Sequence, residues 1–482
     1  VTRPGIDVNL IETSPPLASN DDISALFTAA STERGPIVPT LVQTFAQWKR
    51  YFGGRIATSV GYDYIDAAFR SGVGKLWFCR VVGTTAVVAT KSLLNTATES
   101  LNAKANGPGI WGNSIQISVA AGVVNAAARV VTVTLATTDG TGTITEVSPE
   151  AIDRDTLVNW SNQTQLIRLT LGVNVGLPDV VAAAPLTTGA DNLVGEDDTA
   201  FQTAIDKFTL DLGPGQVTAA GRTTPAAIAT IANHAQAMRR VALGDLVDTS
   251  SASTLLTAAA TSRLLASSRW LALFTPWAVI PGITGDTQRK VPYSAIQAGL
   301  IAQADRFNPP AVPAAGRAFG SSFFASGVSQ VYIPADRLAL SNAGVNVARL
   351  IQGVVETYDY VSAASPQALP AWRSFGSART AMLIMAQCAD IGEAYFGALL
   401  DGKGHTLHAF GGAIEGILKA LYDRDALYGN ETGDAYRVDV DSVNTPATMA
   451  ALELHALVAF RVSPFAEYVV IDIVNTPITQ GV

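Results

Sequence analysis

The sequence predicts an α/β fold with a mostly-β insertion and extended strands at both ends. Three observations predict it: strands and helices alternate through most of the chain, a central stretch switches to threonine- and valine-rich alternation, and isolated strand patterns stand at the two termini. The alternation is clearest in the second half. A strand over 216–220 precedes a helix over 225–240 with proline in its first turn, then a strand over 241–246, a helix over 253–267 and a strand over 270–274. Alternation of this kind favours a mainly parallel sheet with helices on its faces.

The same texture opens the chain. An apolar strand over 23–30 leads to Arg34-Gly35-Pro36, helices over 45–52 and 63–71, and a strand over 75–82. Between about 88 and 188 the pattern becomes period-two, with Ile115, Ile117, Val119 and Val131, Val133, Leu135, and turns at Asp139-Gly140 and Thr141-Gly142. An acid-rich loop over 191–198 returns the chain to helical periodicity at Phe201, Ile205 and Phe208. After Pro370 comes a long helical stretch carrying Met382, Leu383, Met385, Ala386 and Ala389, then a second helix over 413–421 and strands over 454–462 and 466–474. At the ends, Ile6, Val8 and Leu10 alternate with polar residues between Pro4-Gly5 and Pro15-Pro16, and Val469, Ile471 and Ile473 share one strand face. A lone strand is not stable, so each must pair with a sheet edge, its own or a neighbour's. The expected organisation is an arm over 1–20, a first part of the core over 21–90, the insertion over 91–190, the main core over 191–370, an α+β part over 371–465 and a second arm over 466–482.

Composition narrows the function classes. Of 482 residues, 48% are hydrophobic and only 15% charged, against about 25% charged in ordinary soluble proteins, which implies a surface largely covered by neighbours. The net charge of -8, without a long basic run, gives no support for a nucleic-acid partner. No stretch approaches the roughly 20 apolar residues of a membrane-spanning helix; the nearest, 270–283, is broken by two prolines, so no membrane insertion is expected. The first residues lack the layout of a secretory signal, and synthesis in a cytoplasm is expected. Cys79 and Cys388 lie far apart in apolar contexts and read as buried free thiols.

Candidate chemistry is sparse. Gly107-Pro108-Gly109-Ile110-Trp111-Gly112 matches a dinucleotide-loop string, but the alternation after it is that of a strand, whereas such a loop must open a helix. Gly72-Val73-Gly74-Lys75 lacks the spacing of a phosphate loop and reads as a tight turn into a strand. His234 on a helix face, His405 and His408 in a glycine-rich loop, and His455 entering a strand have no metal spacing and read as surface or interface histidines. No Gly-x-Ser-x-Gly elbow is present. Asp191, Glu196, Asp197 and Asp198 do not fit a calcium loop and read as a solvated turn. No catalytic, cofactor-binding or metal-ligating residue is assigned.

Several strings, in order, resemble the contractile tail sheath family. Arg34-Gly35-Pro36 followed by Tyr51-Phe52-Gly53-Gly54 is similar to its amino-terminal block, and Gly107 to Asn113 to the glycine motif that opens its β insertion. Pro276-Trp277, Val291-Pro292-Tyr293-Ser294, Ala298 to Ala302 and Pro313-Ala314-Ala315-Gly316 resemble its central signature, and Asn342 to Asn346 the string after it. Leu427-Tyr428-Gly429, Val438 to Asp441 and Pro464 to Tyr468 resemble its carboxyl end. The loop at Asp191 departs from the family in lacking a double glycine, and the paired arginines near the long helix are reduced to Arg379.

The resemblance implies a subtilisin-like α/β core without a protease triad, in a non-enzymatic subunit that needs no cofactor. It implies stacked hexameric rings of the chain around an inner tail tube protein, with baseplate and tail terminator proteins as further partners, in a virion tail or phage-tail-like particle made in a bacterial cytoplasm. Terminal strands would be exchanged between subunits through Ile6, Val8, Leu10, Val469, Ile471 and Ile473. The helix over 413–421 would face the tube through Glu415 and Lys419. Two other readings stay open: a different self-assembling shell or surface-layer subunit, and a subtilisin-like hydrolase. The sequence does not separate a phage tail from a bacteriocin or an extracellular injection particle.

Overall fold

The computed structural model describes residues 22–467 apart from 138, 139, 141 and 283–287. Nine strands form the principal sheet: β1 (Leu26–Ala30), β2 (Thr40–Val42), β3 (Leu76–Arg80), β4 (Gln216–Thr218), β5 (Val241–Asp245), β6 (Leu271–Thr275), β7 (Ser321–Ser322), β8 (Val345–Ile351) and β9 (Val354–Thr357). Their spatial order is β7-β9-β8-β6-β5-β4-β1-β3-β2. The six strands from β3 through β8 along the centre run parallel, and antiparallel strands close both sides. The chain leaves β1 toward β3 and returns beyond the insertion to β4 on the other side of β1, so the winding direction reverses there.

The central strands are apolar runs because both faces are covered. In β5, Asp245 points to the helix Tyr293–Ala304, and a side chain at Gly244 would meet Ile231 of the helix Pro225–Ala237 at 3.7 Å on the opposite face. Residue alternation along one strand thus places the two helical layers. The helices start where the sequence offers caps. Thr44 accepts from the Gln47 N–H at 3.1 Å to open Phe45–Phe52, and Thr224 accepts from the Ala227 N–H at 3.2 Å ahead of Pro225.

A separate hydrophobic core lies within the insertion. It is shared by a three-stranded antiparallel sheet (Thr90–Asn95, Thr98–Ala105, Ile167–Leu171) and a four-stranded one (Val181–Pro185, Ile115–Ala121, Arg129–Ala136, Thr143–Val147). Ile115, Ile117, Val119, Val131, Val133 and Leu135 all point into it, as their alternation requires. The helix Arg154–Ser161 covers it from one side through Leu157.

Some elements differ from expectation. The helix Tyr293–Ala304 is buried at every residue except Gln303, so it has no polar face and no helical period to read. The hairpin of β8 and β9 turns at Gln352-Gly353, both at positive φ, and the antiparallel β2 is only three residues long. The helix Pro225–Ala237 ends earlier than its apolar pattern, at Met238, because Arg239 takes a positive φ and Arg240 turns inward. The turns expected at Asp139-Gly140 and Thr141-Gly142 fall partly outside the described residues.

Two buried polar clusters fix these layers. Arg289 donates to Asp63 at 2.6 Å and to Asp66 at 3.0 Å, pinning the strand Gln288–Val291 to the helix Gly61–Arg70, and all three side chains are almost fully buried. Half-exposed Arg55 and Arg70 complete the carboxylates from outside, at 2.7 and 2.9 Å. Asp245 accepts from the Ser294 N–H at 2.8 Å and from its hydroxyl, capping a helix whose own cap residue, Pro292, has no side-chain bond to give. Burial pushes the Asp245 carboxyl up to about 7, against the pull of the Ser294 donors.

Arg289→Ala leaves two buried carboxylates half-paired and is expected to cost about 3–5 kcal/mol in denaturant unfolding, whereas Arg70→Ala stays within about 1 kcal/mol. For Asp245 the native carboxyl holds a proton that the unfolded chain has already released between about pH 4 and 7. Stability from this group is therefore complete below pH 4 and falls as pH rises toward 7. Asp245→Asn should flatten that part of the profile of denaturation midpoint against pH.

Candidate assembly surfaces and the joints behind them

The carboxyl-terminal part is built on two helices, Phe375–Tyr395 and His405–Tyr422. The first buries its amino-terminal half from Phe375 to Ile384, and the second buries Phe410, Ile414, Leu418 and Leu421, with Tyr395 edge-on to Phe410 at 5.3 Å. The second helix begins at His405 rather than at Ala413. Asp401 accepts from the N–H groups of Lys403, His405 and Thr406 at 2.8–3.0 Å, so the glycine-rich segment ends in a capped helix and His405 and His408 belong to its first turns. Those three donors hold the Asp401 carboxyl well below the usual range.

Glu415 and Lys419 lie on the exposed side of this helix. Lys419 is already paired with Asp423 one turn on, at 2.7 Å, a surface contact that contributes little by itself. Nearby, Tyr436–Asp439 and Leu457–Phe460 form a two-stranded antiparallel sheet, the second strand shorter than the expected 454–462. Tyr436, Val438, Val458 and Phe460 pack on the core, while Leu457 is 57% exposed on the other face. Among the described residues, neither outer edge of this pair carries backbone hydrogen bonds along its strand. Ile6, Val8, Leu10, Val469, Ile471 and Ile473 lie outside the described residues.

The two glycine strings singled out in the sequence meet each other. A side-chain carbon at Gly107 would sit 2.1 Å from the Gly35 carbonyl oxygen, so the turn that follows the insertion's first hairpin rests directly on the Arg34-Gly35-Pro36 turn. Arg80, at the end of β3, is buried and donates to the carbonyls of Thr32 at 3.1 Å and Pro108 at 2.5 Å. Burial lowers its pKa to about 10, and it stays cationic. Asn113 exchanges two hydrogen bonds with Gly189, at 2.8 and 2.9 Å, tying the segment after this turn to the exit.

The acid-rich loop is solvated, with Asp191 and Asp197 exposed, and its acids are also structural ties. Asp191 accepts from the Ile110 N–H at 3.0 Å, Asp197 caps the helix Asp198–Ile205, and Asp198 takes Arg222 at 3.2 Å and Thr224 at 2.5 Å. Glu196 is half-buried, which raises its pKa. The sequence signal for this joint was a single arginine closing the apolar run Leu76 to Cys79, beside the glycine string.

The remaining candidates are placed as follows. His234 is buried, against the expectation of a surface position, and its Nε2 faces the Arg240 guanidinium at 2.9 Å; burial, with the Arg240 charge, pushes its pKa down to about 3. His408 lies 3.9 Å from Asp441 and His455 2.8 Å from Glu453, both on the surface. Cys79 is buried and Cys388 only half-buried, and both are free thiols. Arg379 is fully buried against Asp305 at 2.6 Å, so it is not a surface contact. Gly107 to Gly112 passes into a short 3-10 turn and then the strand Ile115–Ala121, and Gly72 turns into β3. No group of three or more potential metal ligands occurs among the described residues.

Gly107→Ala, with φ +140 and the Gly35 carbonyl in the way, is expected to cost roughly 2–4 kcal/mol in thermal or denaturant unfolding. Gly353→Ala, at φ +83 with open space around it, should cost only about 1 kcal/mol.

In sequence, no family model and no curated protein matches the chain. In structure it is similar to the sheath tail protein of Listeria innocua, with a TM-score of 0.58 at 12% identity over 87% of this chain and 89% of that one. It is similar over 98% of both chains to one from the anti-feeding prophage baseplate in its contracted state, with a TM-score of 0.58 at 13% identity. A chain of the PVC sheath complex of an extracellular contractile injection system, also contracted, gives 0.55 at 12% identity over 99% of this chain and 98% of that one. From the first described strand to the carboxyl-terminal helices, the chain has the fold of tail sheath proteins.

Proposed function

We propose that the chain is the structural, non-enzymatic subunit of a contractile sheath, in a phage tail or a phage-tail-like injection particle. It assembles as stacked hexameric rings around an inner tube, and contraction drives the tube through the target envelope. The observation that carries this reading is the end-to-end correspondence in fold with sheath chains, which covers nearly the whole length of each partner.

The low charge content agrees with a subunit covered by copies of itself. The small sheet Tyr436–Asp439/Leu457–Phe460 is the acceptor in this reading, since a two-stranded pair is marginal by itself and each added strand bond contributes about 1 kcal/mol. The donors are the terminal segments, through Ile6, Val8 and Leu10 at one end and Val469, Ile471 and Ile473 at the other. Arms on linkers keep subunits joined while their bodies rotate between two packings, the extended one metastable until triggered. Glu415 and Lys419 face the tube, and baseplate and terminator proteins bound the sheath, which is assembled in the bacterial cytoplasm. The core is read as subtilisin-like, and the insertion as the separate unit 91–190.

Electron microscopy of the overexpressed chain, beside a version lacking residues 1–16, tests the reading. Hollow striated tubes from the full chain, lost on truncation, are expected. Closed shells or flat sheets would instead support a shell or surface-layer subunit. With purified tube present, Lys419→Glu should reduce the fraction of tube covered by extended sheath, and unchanged coverage removes that helix from the tube interface.

A further inference from the structure

The insertion and the principal sheet have separate hydrophobic cores, so among the described residues no shared apolar cluster fixes one against the other. The chain crosses between them twice, entering over 82–87 and leaving over 190–195, and the crossings lie side by side. A side-chain carbon at Gly83 would sit 2.3 Å from the Asn192 carbonyl oxygen, and Val87 bridges to Ala190. Two adjacent crossings form a hinge, and units that meet through small polar contacts move relative to each other by default. The Gly107 backbone resting on the Gly35 carbonyl limits closing of that hinge but does not resist opening.

Arg80 does resist it. This side chain ends β3, is 3% exposed, and donates from Nε to the Thr32 carbonyl at 3.1 Å and from Nη1 to the Pro108 carbonyl at 2.5 Å. The Pro108 carbonyl also accepts from Trp111 Nε1 at 3.1 Å, and Trp111 belongs to the insertion's own core. Direct bonds therefore run from the ends of β1 and β3, through one carbonyl, to the packed interior of the insertion. We propose that Arg80 is a latch, a positioning residue that holds the insertion in one orientation on a hinge at 82–87 and 190–195. Its two bonds leave from separate nitrogens of a planar group, so they fix direction as well as distance, and a charged donor in a dry place bonds strongly. Burial opposes the charge, and Glu196, Asp191 and Glu33 nearby favour it. Arg50 also spans the units, to Gln165 at 3.0 Å, but on the surface, where water competes. The latch lies within one chain and does not depend on the sheath reading.

The test reads distance within one chain. Spin labels at Gln236→Cys, exposed on the helix Pro225–Ala237, and Ala126→Cys, exposed on the insertion, are measured by double electron–electron resonance with labelled chain diluted into unlabelled chain. Cys388→Ser removes the half-buried thiol, and the buried Cys79 is kept because it adjoins Arg80, its failure to label being checked in the background without the new cysteines. With Arg80 present one narrow distribution is expected. Arg80→Met keeps the stem and loses both donors; a broadened or shifted distribution, with circular dichroism and cooperative unfolding retained, supports the latch, and an unchanged one overturns it. If Arg80→Met does not fold, Arg80→Lys decides by the same readout, since it keeps the charge beside the three acids but offers one nitrogen in place of two. Arg50→Ala should leave the distribution unchanged, and equal broadening there overturns the assignment to Arg80.

Discussion

Burial of six parallel strands on both faces is the constraint from which most of this structure follows. A strand covered on two sides has no wet face, so every polar side chain that enters must arrive with a partner. Asp245 meets Ser294, Arg289 meets Asp63 and Asp66, and Arg240 meets carbonyl groups and His234. Each pair also ties one layer to the next. Charge is scarce in this chain, and much of what is buried serves as fasteners between elements distant in sequence.

The insertion is joined to the body by the same logic at a smaller scale. Its entry and exit strands are bridged at Val87 with Ala190 and Thr90 with Thr187, and its turn at Gly107 rests on Gly35. Arg80 bonds carbonyls on both sides of the joint, and Asp191 and Asn113 fasten the exit to the segment after the Gly107 turn. Close backbone contact needs glycine, and backbone carbonyls brought together in a dry place need a cation. For a subunit proposed to move as a body, a joint of this kind makes the insertion follow the core.

The carboxyl-terminal region differs in character. Its first helix is buried all round only in its amino-terminal half and its second on one side, the outer edges of its two-stranded sheet carry no backbone hydrogen bonds among the described residues, and large apolar side chains such as Phe396 and Leu399, 92% and 85% exposed, stand between the helices. This region and the terminal segments are where the proposed sheath reading places contact between copies.

By itself the sequence determined whatever depends on local period and local caps. Short apolar runs announced β1, β3, β5 and β6, period-two alternation announced the paired strands of the insertion, and the proline at 225 marked the start of its helix, because such signals act within a few residues. The glycine strings were visible as strings, but that Gly107 lies on Gly35 was not, since nothing local links them. The helix Tyr293–Ala304 has no polar face, so its role at the centre of the fold shows only once both neighbours are in place. His234 looked like a surface residue, and the ties of the solvated loop 191–198 stayed hidden, for the same reason: their partners Arg240, Arg222 and the Ile110 N–H arrive by folding. Strand order, the faces on which helices pack and the pairing of buried charges were decided by tertiary structure alone. They depend on contacts between residues tens to hundreds of positions apart, which no local pattern encodes.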